Sequence, residues 1–126
     1  MRERCFLWDN LKTLSVRHNL PWVVMEDFND VSREEEKSGG NGICNRRVSE
    51  YISCMDFCNL LDLGFSGAKF SWTNWRDLFD LIQQRLDRVW VNSEWKLCFP
   101  KAFVSHLARI NSDHCLLLLS LVPNLG

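Results

Sequence analysis

The stretch Pro21-Trp22-Val23-Val24-Met25-Glu26-Asp27-Phe28-Asn29-Asp30 constrains the fold of this chain more than any other. Four apolar residues, Trp22 to Met25, lie between a proline and an acidic, amide-rich turn. A short continuous apolar run bounded by turn signals fits a strand buried on both faces. In α/β proteins, chemistry collects at the carboxyl ends of such strands. Asp27 and Asn29 stand there two residues apart, so an extended backbone points both the same way.

Composition narrows the classes available. A chain of 126 residues makes one domain of ordinary size with a real core. With 46% hydrophobic and 25% charged residues it is no disordered chain. The net charge of -1 supplies no global basic field, so any hold on a polyanion must rest on local charge. The six cysteines are scattered, with no Cys-x-x-Cys pair. Cys54 and Cys58 share a helix face but lack the two further ligands a zinc site needs, so free, mostly buried thiols are expected. No apolar h-region follows Met1-Arg2-Glu3-Arg4-Cys5, and the apolar run from Cys115 is too short to span a bilayer. The expectation is an intracellular, reducing compartment and no membrane partner.

Periodicity places the elements. Leu7, Trp8, Leu11 and Leu14 make one apolar face of a helix over 3–18, ended by Pro21 through its effect on Leu20. The opening strand follows at 22–26. Residues 30–46 read as a long polar loop, with Glu34-Glu35-Glu36 as a solvated stretch or a short helical turn. Val48, Tyr51, Ile52, Met55 and Cys58 give a second helix over 46–60, followed by the glycine turn Gly64 to Gly67. Strands are expected at 69–73, 82–91, 101–107 and 115–122, the last buried by composition. A short helix capped by Asn92 runs to Phe99. The sum is a mixed α/β domain of two main helices and five or six strands.

Three polar groups sit at the ends or inside of these strands: Asp27 with Asn29, Asp87, and Asp113 with His114. Carboxylates, an amide and an imidazole are the groups that phosphodiester hydrolysis needs. They supply a base for water, donors for phosphoryl oxygens, and ligands for a metal. An Asp beside a His fixes its tautomer. Each group has a plain reading as well: Asp-x-Asn as turn chemistry, Asp87 as an ion pair with Arg85 or Arg88, Ser112-Asp113-His114 as a capped turn. His106 reads as a partly exposed structural residue.

The segments Glu26-Asp27-Phe28-Asn29, Gly67-Ala68-Lys69-Phe70-Ser71-Trp72-Thr73-Asn74, Arg85-Leu86-Asp87-Arg88 and Ser112-Asp113-His114-Cys115 occur in one order and spacing. In that pattern the chain resembles the endonuclease/exonuclease/phosphatase superfamily. The flavour is that of the apurinic-type endonuclease domain of plant LINE-type non-LTR retrotransposons. Pro21-Trp22, Glu36-Lys37-Ser38-Gly39-Gly40 and Asp62-Leu63-Gly64 also look like that group. The match covers about residues 4–121.

The resemblance implies roles and partners. Asp27 positions or deprotonates the attacking water, and Asn29 contacts the phosphate. Asp87 hydrogen-bonds His114, which binds the scissile phosphate. Asp113 lies next to a divalent metal, magnesium, and Trp72 and Phe70 line the substrate groove. The implied partner is DNA, and the implied location is the nucleus.

Two positions depart from the family pattern: Glu26 stands where the family has glycine, and Leu116 where it has proline. The resemblance spans only the C-terminal half of the family domain, whose other half brings an Asn and the main metal-ligating Glu. The expected fold is therefore half of a four-layer α/β sandwich, mostly antiparallel, as one partial domain over 1–126. The expected function is that of a truncated, degenerate metal-dependent DNA endonuclease without activity alone. The alternatives are a non-catalytic DNA- or protein-binding module, using the groove around Trp72, Arg85 and Arg88, or a fragment that folds poorly.

Overall fold

The computed structural model describes residues 2–17, 19–28, 30–77, 79–109 and 113–122, with side chains from residue 7 onward. Asn29 and Ser112 lie outside the described residues. In chain order the elements are α1 (Arg2–Arg17), β1 (Val23–Asp27), a 3-10 turn (Glu34–Glu36), β2 (Lys37–Ser38), α2 (Asn45–Phe57), β3 (Leu60–Asp62), β4 (Ser66–Gly67), β5 (Trp72–Thr73), β6 (Gln83–Gln84), β7 (Asp87–Asn92), α3 (Ser93–Cys98), β8 (Phe103–His106) and β9 (Leu117–Ser120).

The strands form three three-stranded sheets, ordered β1-β7-β3, β2-β6-β5 and β4-β8-β9. All pairings are antiparallel except β4 with β8. This overturns the expected half of a four-layer sandwich. The chain is mixed α/β, but its strands are two to six residues long and divide among three small sheets. The 82–91 run is the reason in miniature. It breaks at Arg85-Leu86 into β6 and β7, which join different sheets.

The organising strand is β7, not β1. It lies between β1 and β3, and its alternating side chains feed two cores. Trp90 enters the first core with Trp8 and Leu11 of α1, Tyr51, Cys54 and Met55 of α2, and Phe28, Cys58 and Leu60. There Tyr51 stacks on Trp8 and Phe28 at centroid distances of 5.3 and 5.4 Å, and its hydroxyl accepts the Trp90 indole N–H at 2.9 Å. Val89 and Val91 point the other way, into a second core with Trp95, Ala102 and Val104.

The Tyr51, Cys54, Met55, Cys58 spacing makes the buried stripe of α2, as periodicity requires. In α1 the stripe stops at Leu11, since Leu14 is exposed. Only one face of β1 is covered: Val24 packs on the first core while Val23 and Met25 are exposed, so the strand is not buried on both faces. β9 alternates likewise: Leu117 and Leu119 pack on the second core while Leu118 is exposed. Asn92 caps α3 by accepting the Trp95 N–H at 3.0 Å.

Polar residues tie the sheets together. Arg85 and Arg88 are 3% and 1% exposed, yet neither pairs with Asp87. Instead Arg85 donates to Glu36 Oε2 at 3.0 Å and to Asp62 Oδ1 at 2.9 Å, while Arg88 donates to Asp62 Oδ2 at 2.8 Å and to Glu36 Oε1. Two arginines and two carboxylates close a ring in which each member bonds both opposite charges. Glu36 therefore departs from its solvated-loop reading. It is buried, and its Oε1 also accepts from Ser32 N, Ser32 Oγ and Arg33 N. Burial alone would raise the Glu36 pKa, but Arg88 and Ser32 outweigh it and bring the value down to about 2.

Candidate functional site

The site forms where three chain segments converge. Asp27 closes β1 and Asp87 opens β7, and the two stand directly opposite each other in the ladder. Phe28 extends that ladder by donating its N–H to the Leu86 carbonyl at 3.0 Å. The third segment carries His114, which pairs with Trp72 of β5 as an isolated bridge. That bridge is held by Thr73 N–H to Asp113 O at 2.9 Å and Cys115 N–H to Ser71 O at 2.8 Å.

The side chains then meet. His114 Nδ1 lies 2.7 Å from Asp87 Oδ2, and His114 Nε2 lies 3.7 Å from Asp27 Oδ2. A carboxylate only accepts, so Nδ1 carries the donated hydrogen, and Nε2 is turned to the Asp27 side. All three groups are partly exposed, with side-chain exposures of 32% for His114, 31% for Asp27 and 17% for Asp87. Partial burial alone would lower the His114 pKa. The Asp87 hydrogen bond and the charges of Asp87, Asp27 and Asp113 outweigh it, so the pKa lies above the ordinary imidazole value.

Asp27, Asp87 and His114 each offer a ligand atom, all within 4.8 Å of one another, so the group could hold a metal ion. Asp113 stands outside this group. It is exposed, and its Oδ2 accepts the Trp72 indole N–H at 3.3 Å. Trp72 is thereby fixed beside the site. Phe70 is half-buried two residues away, with the Lys69 ammonium 5.4 Å from its ring centre and its carbonyl accepting from Arg109 at 3.5 Å.

Glu26, next to Asp27, does not crowd the cluster. It is exposed and opposes Arg88, whereas Asp27 opposes Asp87, so the two neighbours point to opposite faces of the sheet. The arginines of the alternative groove are committed to the buried ring, so neither presents its charge at the surface.

His106 is buried rather than partly exposed. Its Nδ1 lies 2.7 Å from the Ala68 carbonyl, and its ring stacks on Phe65 at 4.3 Å. Burial, the largest influence, holds its pKa below the ordinary value. Sequence reasoning missed Ser71, whose buried hydroxyl accepts from two backbone N–H groups of the Asp87 segment. A small hydroxyl inside an aromatic strand run was the only signal available.

No family model matches this sequence, and no curated protein matches it as a relative.

Proposed function

We propose that Asp27, Asp87 and His114 form the phosphate-binding centre of a metal-dependent phosphodiesterase of the DNA-endonuclease kind, retroelement in ancestry. The reading is carried by one observation: the 2.7 Å contact between Asp87 Oδ2 and His114 Nδ1, made beside Asp27 by residues from three separate segments. Asp87 holds the imidazole through Nδ1–H, and in the protonated ring Nε2–H donates to a phosphoryl oxygen. The raised pKa keeps that donor protonated to higher pH than an ordinary histidine. In this reading Asp27, 3.7 Å from His114 Nε2, takes the proton from a water attacking the same phosphorus. Trp72 and Phe70 flank the bound strand.

Magnesium takes oxygen ligands, keeps several waters, and commonly uses one or two carboxylates plus substrate phosphate. The donor set fits that habit through Asp27, with Asp113 adding charge one residue from His114. A magnesium ion held there would supply neutralisation of the charge developing on the phosphoryl oxygens. Asp87, already bonded to His114, is a poor candidate to serve as well. A metal held by so few protein oxygens binds weakly, so the chain binds a phosphodiester but does not cleave it alone.

A nicking assay on supercoiled plasmid and on an abasic duplex, with magnesium, tests this. The expected result is no cleavage above buffer, with saturable duplex binding that His114→Ala removes. Robust nicking lost in Asp27→Asn and His114→Ala would overturn the inactivity. Binding that is indifferent to His114→Ala would overturn the site.

A further inference from the structure

We infer that Ser71 is the positioning residue of this site: one buried side chain that sets the distance between Asp87 and His114. Asp87 and His114 are 27 positions apart, on segments that share no sheet ladder. Ser71 touches both segments. Its Oγ accepts the Leu86 N–H at 2.8 Å and the Asp87 N–H at 3.0 Å. Its carbonyl accepts the Cys115 N–H at 2.8 Å, immediately after His114.

Its own N–H donates to the Gln84 carbonyl at 3.0 Å, so the residue is anchored to β6 as well. Ser71 has no solvent exposure, and a hydroxyl oxygen has two lone pairs, both engaged here by backbone donors. Those donors, Leu86 and Asp87, fall where the chain passes from β6 to β7, while the Arg85 N–H goes to the Glu36 carbonyl at 2.8 Å. Ser71 Oγ takes the place of a strand there. The flanking Arg85 and Arg88 are held by Glu36 and Asp62 in the buried ring.

Deleting the hydroxyl leaves two buried N–H groups without an acceptor, so the peptide at 86–87 must shift to find one. Asp87 moves with it, while the His114 segment stays tied to the Ser71 carbonyl through the Cys115 N–H. A purely structural serine would lower stability and leave the surviving native geometry intact. A positioning serine changes the Asp87–His114 bond in molecules that are still folded. The inference rests on the Asp87–His114 pair as the working pair, but its readout needs no substrate, so it can fail independently of the nicking and binding assays.

The test is proton NMR of the hydrogen-bonded His114 Nδ1–H, identified by its loss in His114→Ala. In Ser71→Ala this downfield resonance is expected to be lost or moved upfield while circular dichroism still reports folded chain. Ser71→Thr, which keeps the hydroxyl, restores it, and Val104→Ala, a core truncation away from the site, leaves it in place. Amide exchange in the unmodified chain gives a second measurement that does not depend on any variant folding. The Leu86 and Asp87 N–H groups are expected to exchange as slowly as those of Val89 to Val91 in β7. An unchanged His114 resonance in folded Ser71→Ala, or fast exchange at Leu86 and Asp87 in the unmodified chain, would overturn the inference.

Discussion

Asp27 and Asp87 face each other directly across the β1–β7 ladder, two carboxylates at one paired position. Like charges so placed repel, and in a strand pair they cost stability. His114 sits between them, 2.7 Å from one and 3.7 Å from the other, and offsets the repulsion when it is protonated. The strain and its relief are the same groups that the proposed chemistry uses.

The first prediction concerns the titration of His114. Both carboxylates raise its pKa, and Asp87 does so through a hydrogen bond as well as charge. Asp87→Asn should therefore lower the His114 pKa more than Asp27→Asn, read by NMR titration of its ring carbons. An equal effect of the two variants would deny the hydrogen bond its role. The linked effect on stability has a definite sign. A raised folded pKa gives stability that is complete below the ordinary imidazole value of about 6.5 and is lost as pH climbs through the folded value. The stability gap between the unmodified chain and His114→Ala should accordingly shrink as pH rises above neutrality, measured by urea unfolding.

The second prediction concerns the buried ring. Glu36→Gln leaves Arg88 buried with a weakened partner, and breaking such a pair typically costs about 3–5 kcal/mol. Replacing both partners, as in Glu36→Gln with Arg88→Met, should recover much of that loss, since an apolar stem fills the space without an orphaned charge. Because the Glu36 pKa is lowered to about 2, its contribution is complete above the ordinary carboxylate value of about 4.3. It disappears as pH falls from there toward 2. Acid unfolding monitored by tryptophan fluorescence should show a limb in that window that Glu36→Gln flattens.

How much of this was legible beforehand follows from what each signal encodes. The α2 stripe was readable because a helix repeats every 3.6 residues, and Tyr51, Cys54, Met55 and Cys58 obey that period. The Asp27, Asp87 and His114 segments were readable as polar groups in apolar surroundings, while the bond between the last two was expected only from the resemblance. Sheet membership was not legible. The run 82–91 looks continuous because alternation does not record which neighbour a strand pairs with, and at the break the Leu86 and Asp87 N–H groups turn to the Ser71 hydroxyl instead. Burial of Glu36 was hidden for a similar reason. Its partners Arg85 and Arg88 lie about 50 positions away, and the adjacent exposed Glu34 and Glu35 mimic a solvated run.

The third prediction concerns the glycine pair after β2. Gly39 has φ +83°, and a Cβ there would collide with the Leu81 carbonyl oxygen. Gly42 has open space around its Cβ position and no positive φ. Gly39→Ala should destabilise by about 2 kcal/mol or more, while Gly42→Ala stays within about 0.5 kcal/mol. Comparable midpoints for the two variants in urea would show that the β2–β6 contact does not constrain the loop.

The measurement that bears most directly on the central claim is binding of a short abasic duplex, with magnesium present, followed through the His114 ring nitrogen resonances. The account predicts a saturable shift at Nε2, retained Nδ1 bonding to Asp87, and loss of duplex affinity in His114→Ala. Ring nitrogens that do not respond to saturating duplex, or equal affinity in His114→Ala, would contradict it.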